Sequence, residues 1–315
     1  MNKTLLISPC SYRFGGYFRA ENIARRLNGK LLYPKQGNNL LKRVINGVVN
    51  SFYVPFYDVI YVFELMPETL LPALLSRLLG KKVILDIADE WLASPTYQQG
   101  NLFIKFLIRS LDRSVSFFPQ ITVTSDYLLK KYGRGTKLIN GVDTNEFLPI
   151  DRAEARGRLG IGKKEKIVLS FGNTLGKTRE WWLNETYRSL QSQDPSIQLI
   201  KISGLEAWGL ALWLAACDLV LFPTGDNPCE RACFPIRVGT ALNAERVIAT
   251  DNSPTEFHNT LRPYNCMLTG SVPWTLAIEI VKFFQDPYPT FRDTLEKNVL
   301  KAKKELDWDK LIKTL

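Results

Sequence analysis

Asp58-Val-Ile-Tyr-Val-Phe63, the stretch Thr69 to Leu79, and Lys82-Val-Ile-Leu-Asp86 run on from one another, and their reading decides the fold. The outer two are short apolar runs suited to buried strands, and the middle one carries leucines at helical spacing. A strand, a helix and a second strand in this order make the unit of a parallel, doubly wound sheet.

The pattern extends in both directions. Toward the N-terminus, Thr4-Leu-Leu-Ile-Ser8 is a strand, Gly15-Gly16 marks a tight turn, and Phe18 to Leu27 has helical spacing. Asn39 to Phe52 is an amphipathic helix with Leu40, Leu41, Val44, Ile45, Val48, Val49 and Phe52 on one face and Lys42, Arg43 and Asn46 opposite. Toward the C-terminus, residues 101 to 118 form a very apolar helix with one thin polar stripe of Lys105, Arg109, Asp112 and Ser116. Such a helix is either mostly buried or touches a bilayer. Strands follow at Gln120 to Thr124 and Lys137 to Ile139. The segment Asp151 to Lys166, dense in charge and glycine, is read as the domain boundary. Beyond it, strands recur at Lys166 to Phe171, Gln198 to Ile202, Leu219 to Phe222 and Val247 to Ala249, and a Lys-rich helix spans Phe291 to Leu306.

The totals agree with an α/β protein of two domains. At 315 residues the chain is too long for one ordinary core, and its 45% hydrophobic and 23% charged residues are those of a globular protein. Met1 to Cys10 is too short for a signal peptide and reads as a first strand, and no run of about 18 apolar residues suggests a membrane span. Five cysteines, at 10, 217, 229, 233 and 266, are an odd number and fit reduced thiols in a cytosolic protein. Cys229 and Cys233 have the spacing of two metal ligands, but His258 is the chain's only histidine, so no metal is expected. The net charge of +10 is uneven: residues 1 to 150 hold 19 Lys and Arg against 11 Asp and Glu. Such an excess attracts polyanions, whether nucleic acid, anionic lipid or phosphorylated glycan.

Four segments, in order, resemble the large retaining glycosyltransferase family usually numbered 4. These are Gly15-Gly16 after the first strand; Asp86-Ile-Ala-Asp89-Glu-Trp91; and Ile121-Thr-Val-Thr-Ser125 with Lys137-Leu-Ile-Asn140-Gly-Val-Asp143-Thr-Asn-Glu-Phe147-Leu-Pro149. The fourth is Asp218-Leu-Val-Leu-Phe-Pro223 with Phe234-Pro235-Ile-Arg237-Val and Val247-Ile-Ala-Thr250. The closing Asp307-Trp308-Asp309 is similar to the family's terminal helix. The resemblance implies a GT-B fold, two facing Rossmann-like domains with a deep interdomain cleft. Residues 1–150 would bind the acceptor, 151–287 would bind the nucleotide-sugar donor, and 288–315 would cross back onto the first domain.

A nucleotide-sugar diphosphate is doubly negative, so its site needs cations and backbone N–H donors at a helix N-terminus. Phe171-Gly172-Asn173-Thr-Leu-Gly176-Lys177-Thr-Arg179, directly after a strand, supplies both. The resemblance assigns Gly16, Gly172, Asn173, Lys177, Glu230, Pro235 and Arg237 to the donor, with Lys177 on the diphosphate, and Ser125 and Asn140 to the acceptor or cleft. The family pattern is broken at two points. Asn173 stands where many members have Arg, and Gly239 stands where the second of two glutamates would bind the ribose. Glu230 is adjacent to the first glutamate's position, and Arg237 is a substitute phosphate cation. Ser203 to Ala216 leaves no room for the extra strand and loop that many relatives use to grip the base.

Asp89 ends a strand, where open α/β sheets place ligand-contacting residues. The resemblance makes it the catalytic carboxylate, orienting sugar hydroxyls or accepting the acceptor's proton; the competing role is a helix N-cap for Glu90-Trp91. The expectation is a metal-independent, retaining transfer of a hexose from a nucleotide-diphosphate sugar to a lipid-linked or surface-polysaccharide acceptor, with no cofactor. The setting is cytoplasmic, and the basic helices 38–52 and 101–113 with Lys81 and Lys82 suit peripheral docking on the anionic inner face of the plasma membrane. The alternative is a degenerate GT-B protein acting as a non-catalytic binding partner or scaffold. Nucleic acid is not an expected partner, because no interleaved basic and aromatic motif is present. A dinucleotide oxidoreductase is set aside because Gly15-Gly16 lacks the third glycine of a G-x-G-x-x-G turn.

Overall fold

Short apolar runs buried on both faces become parallel strands only when helices cover them, and this chain builds that arrangement twice. The computed structural model describes residues 3–10, 15–34, 40–146, 150–172, 177–224, 228–232, 234–253, 255–285 and 290–315. The chain divides into two compact units. The first comprises Met1–Asn140, Asn227–Ile236 and Trp308–Leu315, the second Gly141–Asp226 and Arg237–Asp307.

In the first unit the strands are β1 (Thr4–Ile7), β2 (Lys30–Leu32), β3 (Val59–Phe63), β4 (Lys82–Ile87), β5 (Gln120–Val123) and β6 (Thr136–Lys137). They form one parallel sheet in the order β2-β1-β3-β4-β5-β6. Its helices are α1 (Gly15–Arg26), α2 (Leu40–Ser51), α3 (Pro67–Leu78), α4 (Pro95–Gln99), α5 (Leu102–Ser114) and α6 (Asp126–Tyr132). From later in the chain come α10 (Pro228–Arg231) and α15 (Trp308–Leu311). Alternation of side chains along each strand sorts the core into two layers. Leu5, Ile7, Ile60, Val62, Val83 and Leu85 meet α3 and α5 on one face. Leu6, Tyr61 and Phe63 meet α1 and Trp308 on the other.

In the second unit β7 (Lys166–Phe171), β8 (Ile197–Ile202), β9 (Leu219–Leu221), β10 (Val247–Asp251) and β11 (Met267–Gly270) form a parallel sheet in the order β11-β10-β9-β7-β8. Its helices are α7 (Arg152–Leu159), α8 (Lys177–Gln193), α9 (Ala207–Ala216), α11 (Ile236–Asn243), α12 (Glu256–Leu261), α13 (Pro273–Gln285) and α14 (Thr290–Glu305). Buried Asp218, just before β9, ties this unit together: it accepts from Arg152, from Arg156 Nη2 at 2.9 Å and from the Ile167 N–H at 2.8 Å.

Several local expectations change. Gly15-Gly16 opens α1 instead of making a tight turn; the first N–H groups of a helix have no intrahelical partner, so glycine costs little there. The helix expected over 101–118 is α5 plus one 3-10 turn at Val115–Phe117. It is not mostly buried: Leu102, Phe103, Phe106 and Phe117 are exposed. The charged segment Asp151 to Lys166 holds α7, capped by the Asp151 carboxylate on the Glu154 N–H and ended by Gly160 in the left-handed region. The contact division falls after Asn140, and within 288–315 α14 belongs to the second unit while Trp308–Leu315 belongs to the first. The strands missed from sequence, β2 and β11, are short edge strands.

Candidate functional site

Ligands of open α/β sheets bind at the carboxyl ends of strands where the strand order reverses. In the second unit the reversal lies between β7 and β9. There Gly172 leaves β7 with φ of +84°, a conformation that glycine adopts without steric cost. A Cβ at this position would lie 2.7 Å from Arg237 Cδ and 2.8 Å from its Nη1, so the arginine lies directly along the glycine backbone. Arg237 Nη1 donates to the Phe171 carbonyl at 3.0 Å, and its guanidinium stands 4.7 Å from the centre of the Phe222 ring. A second, buried arginine, Arg179 in the first turn of α8, approaches the same ring at 5.6 Å and donates to the Thr224 carbonyl at 3.3 Å. Two guanidinium groups and the N-terminus of a long helix thus gather at one sheet edge, an arrangement suited to a phosphate-bearing anion.

A buried carboxylate fixes that edge from behind. Asp251, ending β10, accepts from the Thr224 N–H at 2.6 Å and its hydroxyl at 3.1 Å, and from Ser253. Burial pushes its pKa up, but these donors, Ser253 first, outweigh it and hold the group below the ordinary carboxylate range. Thr224 is thereby set to receive Arg179. In α11 the buried Gly239 faces the Gly141 carbonyl, and a Cβ there would come within 2.7 Å of that oxygen. No side chain fits, so the glutamate expected at this position from the resemblance has no counterpart and no room.

In the first unit the reversal lies between β1 and β3. Glu64, immediately after β3, adopts φ of +55°, unusual for a residue with a side chain and associated with functional sites. Its Oε1 accepts from the Ala88 N–H at 2.6 Å and the Asp89 N–H at 3.2 Å, pinning the turn that follows β4. Its Oε2 and the indole Nε1 of Trp91 are buried with no hydrogen-bond partner among the described residues. Burial, then the nearby Asp89 carboxylate, raises Glu64 well above the ordinary range. Asp89 is solvent-accessible, yet the protein packed around it raises its pKa, against the pull of Arg19. It is not a cap: Glu90 takes that role by accepting from the Leu92 N–H. Cys10, against which Gly16 is packed, is pushed up to about 12 by burial and by Glu64 and Asp89, so its thiol stays neutral.

Behind this edge Arg19 and Asp86, both almost fully buried, pair bidentately at 2.6 and 2.7 Å. Arg19 also donates to the carbonyls of Leu138 (2.8 Å) and Ile139 (3.2 Å) and to Asn140 Oδ1 (3.0 Å), and lies over the Trp308 ring. Asn140 in turn donates to the Phe234 carbonyl at 2.6 Å. Its side chain is therefore spent on holding the chain, and Ser125 is likewise occupied as N-cap of α6, accepting from the Leu128 N–H. Asp307 accepts from Thr144, and Asp309 pairs with Arg26.

Of the residues assigned to the donor, the structure brings Gly172 and Arg237 into contact. Lys177 begins α8 in the same unit; Asn173 lies outside the described residues. Glu230 lies in α10 and Pro235 is buried just before α11, both within the first unit, as is Gly16. Among the described residues no cluster of three or more His, Cys, Asp or Glu is placed to hold a metal. Glu64 escaped the sequence reading, and Arg179 and Phe222 lie within the quoted donor segments without having been singled out. Glu64 and Phe222 directly follow strands, as Asp89 nearly does, and that position was the available signal; Arg179 follows the glycine loop by a few residues.

No family model matches the chain, and neither does any curated protein. Solved structures do. Sucrose-phosphate synthase from Thermosynechococcus elongatus superposes with a TM-score of 0.71 at 13% identity, over 98% of this chain and 96% of that one. The trehalose-6-phosphate protein of E. coli bound with UDP-2-fluoro glucose gives 0.67 at 10% identity, covering 99% and 97%. A putative UDP-N-acetylglucosamine 2-epimerase from Listeria monocytogenes gives 0.59 at 12%, covering 99% and 94%. At such identities the likeness is one of fold: two Rossmann-like α/β domains with parallel sheets, the GT-B architecture.

Proposed function

We propose that the protein is a metal-independent, retaining hexosyltransferase that moves a hexose from a nucleotide-diphosphate sugar to a lipid-linked or surface-polysaccharide acceptor. The observation that carries this reading is the pair Arg179 and Arg237 on either approach to Phe222, beside Gly172 and the start of α8. When the bond between the anomeric carbon and the phosphate oxygen breaks, its electron pair leaves on the nucleoside diphosphate. Fixed cations and helix N–H groups stabilise that developing charge most when they are already in place. A new bond forms from the anomeric carbon to an acceptor hydroxyl, and Asp89, whose pKa is raised by the protein packed around it, orients the hydroxyl and takes its proton. Two of the structurally similar proteins bear on the substrate class: one is bound with UDP-2-fluoro glucose, and another, from Burkholderia xenovorans, is in complex with glucose-6-phosphate. On this reading the protein works on the cytoplasmic face of a membrane, peripherally.

The test is thermal stabilisation across UDP, GDP, dTDP, CMP and their sugars. A nucleotide at a hundred times its Kd adds about 2.7 kcal/mol to the folded state, a shift of several degrees. Arg237→Ala and Lys177→Ala should each reduce it. Gly239 favours a second reading, because its closure against Gly141 removes the ribose-binding carboxylate: a non-catalytic GT-B partner protein. If no nucleotide shifts the midpoint, that second reading replaces the first.

A further inference from the structure

The carboxyl edge of the first sheet carries three aromatic rings in contact, two of them facing solvent, that neither the core nor the diphosphate cradle uses. Tyr17 and Phe18 stand in the first turn of α1, which begins beyond the end of β1, and Tyr33 directly follows β2. Because the strands are parallel, all three lie at the same edge as Glu64 and Asp89, which follow β3 and β4. The Tyr17 ring makes T-shaped contacts with Tyr33 at 4.8 Å and with Phe18 at 5.9 Å between centroids, and its hydroxyl donates to Glu21 at 3.1 Å. Tyr17 is buried and braces the other two, which stay 39% (Phe18) and 38% (Tyr33) exposed. Rings held in this way lose little freedom when a ligand covers them.

The ground between these rings and Asp89 is continuous. Gly16, next to Tyr17, packs on Cys10 so closely that a Cβ would lie 2.6 Å from the sulfur. The Cys10 thiol in turn is raised by burial, then by the neighbouring Glu64 and Asp89. The strand order reverses here, between β1 and β3, which is where open α/β sheets hold ligands. Since β2, β1, β3 and β4 are successive neighbours, the strands leading to Tyr33 and Asp89 lie about 14 Å apart, three strand spacings.

We infer that this crevice binds an oligosaccharide acceptor, with one sugar ring stacked on Phe18 and Tyr33 and a hydroxyl of a further ring presented to Asp89. The inference deepens the transferase reading, on which the role of Asp89 rests: the acceptor is recognised through a ring other than the one that carries the reacting hydroxyl. The chemistry at the two ends decides the class. An aromatic face is partly negative and takes the polarised C–H edge of a sugar ring, while carboxyl groups accept from hydroxyls. A phosphate would meet Glu64 and Asp89 as like charges. A hydrocarbon tail would suit the rings but would cover those carboxyl groups without giving them partners. The separation exceeds a single sugar ring, so a monosaccharide does not reach both ends.

The experiment is binding of the full chain to an array of immobilised neutral disaccharides and longer oligosaccharides, beside the matching monosaccharides and a polyprenyl phosphate. Binding is expected to one or more oligosaccharides and to be roughly tenfold weaker, or more, for the matching monosaccharide. Tyr33→Ala and Phe18→Ala should each weaken it about tenfold, whereas Tyr33→Phe and Phe18→Tyr keep the rings and should retain it. An unchanged melting midpoint and a retained nucleotide shift show that fold and donor site are intact in each variant. No oligosaccharide bound, a monosaccharide bound as tightly, or alanine variants that bind like wild type would overturn the inference. So would binding to the polyprenyl phosphate alone. A chain that binds an oligosaccharide through Phe18 and Tyr33 yet shows no shift with any nucleotide would sink the transferase reading alone.

Discussion

Replacing Arg19 with Met should be among the most damaging single changes in the first unit. The guanidinium makes two charge-assisted bonds to Asp86, three further bonds to Leu138, Ile139 and Asn140, and a cation–π contact with Trp308, all out of water. Methionine fills part of the volume but leaves the Asp86 carboxylate, 1% exposed, with only the Tyr61 and Thr122 hydroxyls. Breaking a buried pair from one side costs about 3–5 kcal/mol. For a domain of this size that is a large share of its total stability, and at about 2–4 °C per kcal/mol it lowers the first unit's transition by roughly 10 °C. Calorimetry of wild type, Arg19→Met, Asp86→Leu and the double variant would complete a cycle. The double variant should regain part of the loss, because it no longer buries a lone charge; recovery stays partial because Leu138, Ile139 and Asn140 lose the donors of Arg19, and Tyr61 and Thr122, still bonded to each other at 2.9 Å, lose their carboxylate acceptor. A single-variant loss below about 1 kcal/mol, or a double variant no better than the worse single, would refute the reasoning.

Gly172→Ala should cost about 1–2 kcal/mol through its positive φ, which scanning calorimetry measures, and, by driving Arg237 away from a Cβ that has no space, weaken nucleotide binding about tenfold, which calorimetric titration measures. Asp89→Asn should lower turnover by about a hundredfold or more while leaving nucleotide affinity unchanged, as steady-state kinetics beside the thermal shift would show. Glu146, raised by burial to about 7, binds a proton more readily folded than unfolded. Stability from this group is complete below its unfolded pKa and is lost as pH rises toward and through 7, by up to about 3 kcal/mol. Glu146→Gln keeps an acceptor for Thr240 and should flatten that part of the pH–stability curve in urea denaturation.

The strands at the centres of both sheets were legible because burial on both faces demands continuous apolar runs, and Lys166–Phe171 was read to the residue. The edge strands β2 and β11 were not, since three or four residues give no usable period. The site was legible only as far as single segments reach. Gly172 and the start of α8 follow directly from a strand, a glycine turn and a helix. That Arg237, far along the chain, closes on Gly172 follows from β7 and β9 being neighbours, which the local pattern does not state. Asp89 was found by its place after a strand, but the same argument applied to β3 yields Glu64, whose grip on the Ala88 and Asp89 amides holds that turn. The capping role weighed for Asp89 went to its neighbour Glu90, a one-residue shift that only backbone geometry settles.

Gly239 and Arg237 sit two positions apart on α11 and explain each other. A helix that packs a buried glycine against the Gly141 carbonyl leaves no space for a side chain at that position. The same close approach sets Arg237 along the Gly172 backbone, where its Nη1 bonds the Phe171 carbonyl and its charge joins that of Arg179 beside Phe222. On the proposed function, such a site keeps a phosphate cation, Arg237 standing in for the arginine that Asn173 replaces, and carries no carboxylate at position 239, which favours the diphosphate end of a donor over its ribose. Because a fixed cation stabilises a departing phosphate most strongly once charge develops on it, such a trade spends interaction on the transition state more than on ground-state binding. The departure from the family pattern at Gly239 is thus compatible with chemistry, provided that the phosphate cradle is occupied.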